Sequence, residues 1–145
     1  MFKFLWSWAL FTWGGLHRYF GHANVMLSEH ARAIHYFERA YQVDPSFTAA
    51  RLHKGVLLSR EFGKHEEALA IFEEVLAKEP ENSMALLNRA LTLQDNGRFP
   101  EALTALEAYL ALPSRDGHWE EAKRMLRPLQ DIVADLQDNE PDSEV

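Results

Sequence analysis

The chain contains no cysteine. Disulfides, thiolate metal sites and cysteine nucleophiles are therefore excluded. Acid is missing from the first 28 residues, which carry only Lys3 and Arg18 as charges. With 15 bases and 22 acids in all, the remainder holds 13 bases against 22 acids, or −9 within a total of −7. An acidic body does not suit nucleic-acid binding, which depends on Lys and Arg neutralising phosphates. There is no Gly-rich phosphate loop, no G-x-S-x-G elbow and no HExxH pair. His17 and His22 are five residues apart, as are His30 and His35. On a helix that spacing is about 140° off a single face, so neither pair chelates naturally. The glutamates of EEALAIFEEV and HWEEAKRM alternate with apolar residues at helical spacing, which marks a solvated face rather than an acid/base pair. No catalytic residue, metal site or cofactor is expected, and no enzyme.

What is present is enough apolar material, 47% of 145 residues, for the core of one compact domain. It is arranged in a repeat. RAIHYFERAYQVDP places Ala33, Phe37, Ala40 and Pro45 at steps of 4, 3 and 5, and EEALAIFEEVLAKEP repeats those steps with Ala68, Phe72, Val75 and Pro80. PEALTALEAYLALP gives Ala102, Leu106, Tyr109 and Pro113 at 4, 3 and 4. The alanines recur after 35 and 34 residues, and Gly63 and Gly97 are 34 apart. Apolar residues three and four apart form one stripe per helix. The small residue lets a partner helix approach, and the bulky residue one turn later fills the gap beside it. Asn96-Gly97 supplies a turn between helices, with Pro100 near the next helix start. Pro45, Pro80 and Pro113 close each unit, because proline cannot continue a helix.

This pattern resembles the tetratricopeptide repeat family, with three repeats over about residues 14–116. Gly21 falls where that family's first helix has its glycine. Gly55 lies one residue early in the second repeat, and Ala90 stands in the third. His17, Leu52 and Leu86 occupy the family's usual tryptophan position. The resemblance implies an all-α solenoid of three antiparallel helix pairs. It also implies non-catalytic protein–protein interaction, with a peptide or helix bound on the concave face lined by the first helix of each pair. In that register the groove residues are Arg18, Tyr19 and His22, then His53, Lys54, Leu57 and Arg60, then Met84, Leu87, Asn88 and Leu91. The set is basic at one end and apolar at the other, which suits a partner with acidic and apolar character. Arg18, Lys54 and Asn88 partly resemble the residues with which some family members clamp the terminal carboxylate of a chaperone tail. His22 and Met84 depart from that clamp. His17, His30 and His65 take aromatic packing slots.

Beyond residue 116, Trp119, Ala122, Leu126, Leu129, Val133 and Leu136 form one stripe, predicting a capping helix over 117–137 with Asp116 as N-cap. Pro128 predicts a kink there, or two short helices meeting near Arg127. The acidic tail 138–145 holds too little apolar surface to offset its ordering entropy and is expected to be disordered.

At the other end, residues 1–13 hold three of the four tryptophans and three of the nine phenylalanines. Phe2, Phe4, Leu5, Trp6, Trp8, Phe11 and Trp13 expose too much aromatic surface to remain wet. Three partners are open to this segment: a membrane surface, the first repeat as a cap, or another chain, including a homo-oligomer. Thirteen helical residues span only about 20 Å, short of the ~30 Å hydrocarbon layer, so an interfacial position is favoured over crossing. The double glycine, Gly14-Gly15, predicts a bend between head and repeat. The expected setting is cytoplasmic, at the inner face of a membrane if the head docks there. The alternative is a soluble co-chaperone-like adaptor whose head is only a cap.

Overall fold

The computed structural model describes residues 2–24 and 26–139. Among them there are seven helices and no strand: α1 (Phe2–Asn24), α2 (Leu27–Val43), α3 (Thr48–Phe62), α4 (His65–Lys78), α5 (Ser83–Asp95), α6 (Phe99–Leu110) and α7 (Trp119–Asp138). The first six are three helix pairs, and α7 follows as the C-terminal helix. The fold is an all-α, tetratricopeptide-like array. Of the expected disordered tail, residues 140–145 lie outside the described residues. The contacts divide the chain into two units, Met1–Lys78 and Glu79–Val145.

Each pair is held as the repeat pattern anticipates. Ala33, Ala68 and Ala102 are fully buried, and so are Phe37, Phe72 and Leu106, one turn later. In the first unit, Ala33, Phe37 and Leu57 form one core cluster, and Leu10, Ala40 and Ala50 form another. Phe11 packs on both, with its ring centroid 5.5 Å from that of Phe37 and 4.9 Å from that of Phe47. The α3–α4 turn rests on Gly63 at φ 61°, and Gly97 at φ 74° serves the α5–α6 turn. Only glycine takes these left-handed positions without strain. The side chain of Asn82 caps α5, its Oδ1 accepting from the Ala85 amide at 2.9 Å. Pro45, Pro80 and Pro113 lie just past the ends of α2, α4 and α6.

Three local expectations are corrected. The chain does not bend at Gly14-Gly15: α1 runs unbroken from Phe2 to Asn24, so head and first repeat share one helix. Gly14 instead lies against α2, where a Cβ would meet the Phe37 ring at 2.7 Å. The C-terminal helix is one element through Pro128 rather than two short ones. Pro128 and Arg124 are both exposed, so water can serve the carbonyl that proline leaves without its helical N–H. The cap of α7 is His118, not Asp116. The Asp116 carboxylate accepts from the His118 amide at 2.9 Å and from the Tyr109 hydroxyl, holding the approach to the helix.

Candidate protein-interaction faces

In the first unit, the first helices of the two pairs, α1 and α3, bring Arg18 and His53 together. Arg18 Nη1 lies 3.5 Å from His53 Nδ1. The His53 ring is packed against Phe11 and Phe37, with centroids 5.3 and 5.7 Å away. Burial, and then the Arg18 charge, push its pKa down to about 4. At neutral pH the ring is therefore uncharged, and its Nδ1 accepts from the guanidinium. Tyr19, His22 and Arg60 are exposed on the same two helices.

Lys54 is less free than its position in the sequence implies. Its Nζ donates to Glu38 Oε2 at 2.6 Å, and Arg51 Nη1 donates to the same oxygen at 3.0 Å. Arg51 Nε reaches Glu74 Oε2 at 2.8 Å, and Glu74 also accepts from the Tyr41 hydroxyl. Lys78 donates to that hydroxyl at 2.7 Å. Burial acts to raise the Glu38 carboxyl, but the Lys54 hydrogen bond and the Lys54 and Arg51 charges hold it below the usual carboxylate range. Burial likewise opposes, and Tyr41 and Arg51 overcome, in lowering Glu74. The Tyr41 hydrogen bond, against burial, raises Lys78. Arg51 and Lys78 also lie over the Tyr41 ring, 5.2 and 5.0 Å from its centroid. This network ties α2, α3 and α4 together and consumes the Lys54 charge.

Leu57 is 3% exposed and belongs to the core with Ala33 and Phe37, so it offers no surface to a partner. In the second unit, Met84 is exposed on α5, Leu91 is half-buried and Leu87 is buried. Asn88 donates from Nδ2 to the Met84 carbonyl at 2.7 Å. A cleft of about 390 Å³ between Gln94 of α5 and Met125, Leu129 and Ile132 of α7 was not signalled by the repeat pattern. Sequence reasoning also passed over Arg51, whose acidic partners come from two other helices. An Arg three residues before Lys54 on one helix face was the available sign.

The histidines expected in packing slots are placed as follows. His17 stacks on Tyr36 at 5.3 Å with rings 2° from parallel, and its Nδ1 lies 2.6 Å from Glu29 Oε2. His30 is buried beneath Gly21, where a Cβ would meet its ring at 2.8 Å. His65 Nδ1 lies 3.3 Å from Ser59 Oγ.

The head divides into two faces. Ser7, Leu10 and Gly14 are buried, and Ser7 Oγ donates to the Ala40 carbonyl at 2.9 Å. Phe2, Phe4, Leu5, Trp6, Trp8 and Trp13 are each more than half exposed. No described helix is long and apolar enough to cross a membrane.

Comparison with known proteins agrees with this architecture. The model of a tetratricopeptide repeat family matches residues 59–126. The fold is similar to that of the Arabidopsis OM64 TPR domain, with TM-score 0.72 and 15% identity, covering 87% of this chain and 98% of that one. It is similar to the first TPR of Spaghetti (RPAP3) bound to the HSP90 peptide SRMEEVD, with TM-score 0.68, 17% identity and coverages of 86% and 98%. The Sgt2 TPR domain from Aspergillus fumigatus gives TM-score 0.68, 19% identity and coverages of 91% and 87%. No curated protein matches the chain.

Proposed function

We propose that this chain, which matches a tetratricopeptide repeat model over residues 59–126 and shares that fold over most of its length, is a non-catalytic adaptor of that family. It binds a peptide or helix of acidic and apolar character on the first-helix faces. The observation that carries this reading is the Arg18–His53 pair. A guanidinium stands on an exposed face beside a neutral ring, on a body whose remaining charge is strongly negative. In the first unit, Arg18 and Arg60 supply charge-assisted hydrogen bonds to carboxylates, and Tyr19 supplies apolar contact. Lys54 contributes only where a ligand carboxylate displaces Glu38, and Leu57 and Leu87 support the face from below.

The test is fluorescence polarisation with a labelled acidic peptide such as SRMEEVD, the sequence bound by the Spaghetti domain. Arg18→Glu with Arg60→Glu is the informative variant, because both side chains are exposed, and circular dichroism checks that the helices are kept. Lys54→Glu is avoided, since it faces Glu38 with a like charge. Loss of roughly tenfold or more in affinity supports the reading. Unchanged affinity removes these faces from it.

We place this adaptor beside a membrane, on the strength of the exposed aromatic half of α1. A second reading is a soluble co-chaperone-like adaptor with residues 1–13 serving only as a cap. The buried Ser7, Leu10 and Gly14 stripe favours it, since those residues do cover α2.

A further inference from the structure

We infer that the outward face of α1 is a lipid-docking surface on which the helix lies in the plane of a bilayer interface. The inference rests on the membrane-proximal reading above and specifies its geometry. Apart from Tyr19, which serves the peptide face, eight large apolar side chains of α1 are each more than two-fifths exposed, from Phe2 to Phe20. At 150–250 Å² per large side chain, they present on the order of 1,000 Å² of apolar surface. That exceeds the ~300–600 Å² patch typical of a soluble monomer.

The opposite stripe fixes the orientation. Ser7, Leu10, Gly14 and Gly21 are buried, so α1 is held against the body from Ser7 to Gly21, 15 of its 23 residues. Crossing a bilayer end-on would require α1 to detach from α2 or drag it along. The α2 surface carries Glu29 and Arg32, paired at 2.8 Å, close beside α1. A sideways position instead buries the aromatic face and leaves that stripe undisturbed.

Two observations favour lipid over a second copy of the chain. The first is charge. The outward face of α1 holds no acid to repel phosphate headgroups, and the helix's two bases turn toward the body, Lys3 near Asp44 and Arg18 against His53. The second is hydrogen bonding. Among the described residues, the indole N–H groups of Trp6, Trp8 and Trp13 donate to no protein acceptor. Pairing this face with itself would bury them against Phe, Leu and Trp, where acceptors are scarce. Thr12 is already bonded to the Trp8 carbonyl at 2.9 Å. An interface supplies water, ester carbonyls and phosphates for the same groups, which is where Trp side chains collect.

The experiment uses the full chain with Trp119→Phe, so that every remaining indole lies on α1. It is floated with phosphatidylcholine vesicles and with vesicles in which about three lipids in ten are phosphatidylglycerol. Tryptophan quenching is then read with lipids brominated near the headgroup end of the chain or near its terminus. The inference expects flotation with both vesicles and stronger quenching by the shallow bromines. Leu5→Glu with Trp8→Glu, at positions more than half exposed, lowers the bound-to-free ratio roughly tenfold or more, with the helical circular dichroism unchanged. Flotation with stronger deep quenching overturns the in-plane geometry and leaves the membrane-proximal reading standing. Absence of flotation overturns both, and sedimentation then reports whether the face pairs two copies or stays monomeric.

Discussion

Gly14 and Gly15 are adjacent in α1, and their replacement by alanine moves stability in opposite directions. Both lie inside a continuous helix, so each Gly→Ala change gains helix propensity and reduces unfolded-chain entropy, worth about 0.5–1 kcal/mol. At Gly15 nothing lies within 4 Å of the new Cβ, and the gain is retained. At Gly14 the Cβ falls 2.7 Å from two carbons of the Phe37 ring and 3.3 Å from the Ala33 carbonyl oxygen. The ring is buried between Phe11 and His53, so it has no room to withdraw. Overpacking of this kind costs about 1–3 kcal/mol. The propensity terms cancel in the comparison, leaving Gly14→Ala less stable than Gly15→Ala by about 1–3 kcal/mol. In a melt this is a separation of about 3–9 °C. Urea titrations of both variants, with equal m-values, measure it. Equal stabilities would refute the close approach of α1 to α2, and destabilisation by both would restore a bend at the double glycine.

Other consequences can be read on the same protein. His53 has a folded pKa of about 4 against an ordinary 6.5, so it binds fewer protons folded than unfolded. Its contribution is complete above pH 6.5 and is lost as pH falls toward 4, on the order of 3 kcal/mol. Subtracting the pH–stability curve of His53→Asn from that of the wild type isolates it, and a flat difference over that window contradicts the assignment. Ser7→Ala removes the buried hydrogen bond to the Ala40 carbonyl and lowers stability by about 1 kcal/mol in urea titration. Tyr41→Phe removes a hydroxyl that donates to Glu74 and accepts from Lys78. It lowers the thermal midpoint by an amount equivalent to about 1–2 kcal/mol.

The elements most legible in the sequence were α2, α4 and α6. Their Ala-x3-bulky spacing follows from one repeated demand, a small residue at the helix crossing and a large one beside it. The turn at Asn96-Gly97 was equally plain, because positive φ selects glycine. The head was misjudged at its boundary for an instructive reason. Glycine marks both bends and close helix approaches, and only the position of Phe37 distinguishes them at Gly14. The partners of the candidate face residues were not legible. Lys54 and Arg51 find Glu38 and Glu74 on neighbouring helices, and such pairing has no local signature. Leu57 shares α3 with exposed residues, yet Phe37 and Ala33 close over it. Pro128 signalled a break that exposure of the freed carbonyl made unnecessary.

The central claim is that partners bind on the first helices of the pairs. Backbone amide shift mapping on the ¹⁵N-labelled chain, titrated with an acidic, partly apolar peptide such as SRMEEVD, tests it most directly. The account predicts the largest shifts in the first unit, at Arg18, Tyr19 and His22 of α1 and at His53 and Arg60 of α3. Shifts concentrated on α2, α4 and α6, or none at saturating peptide, would contradict it.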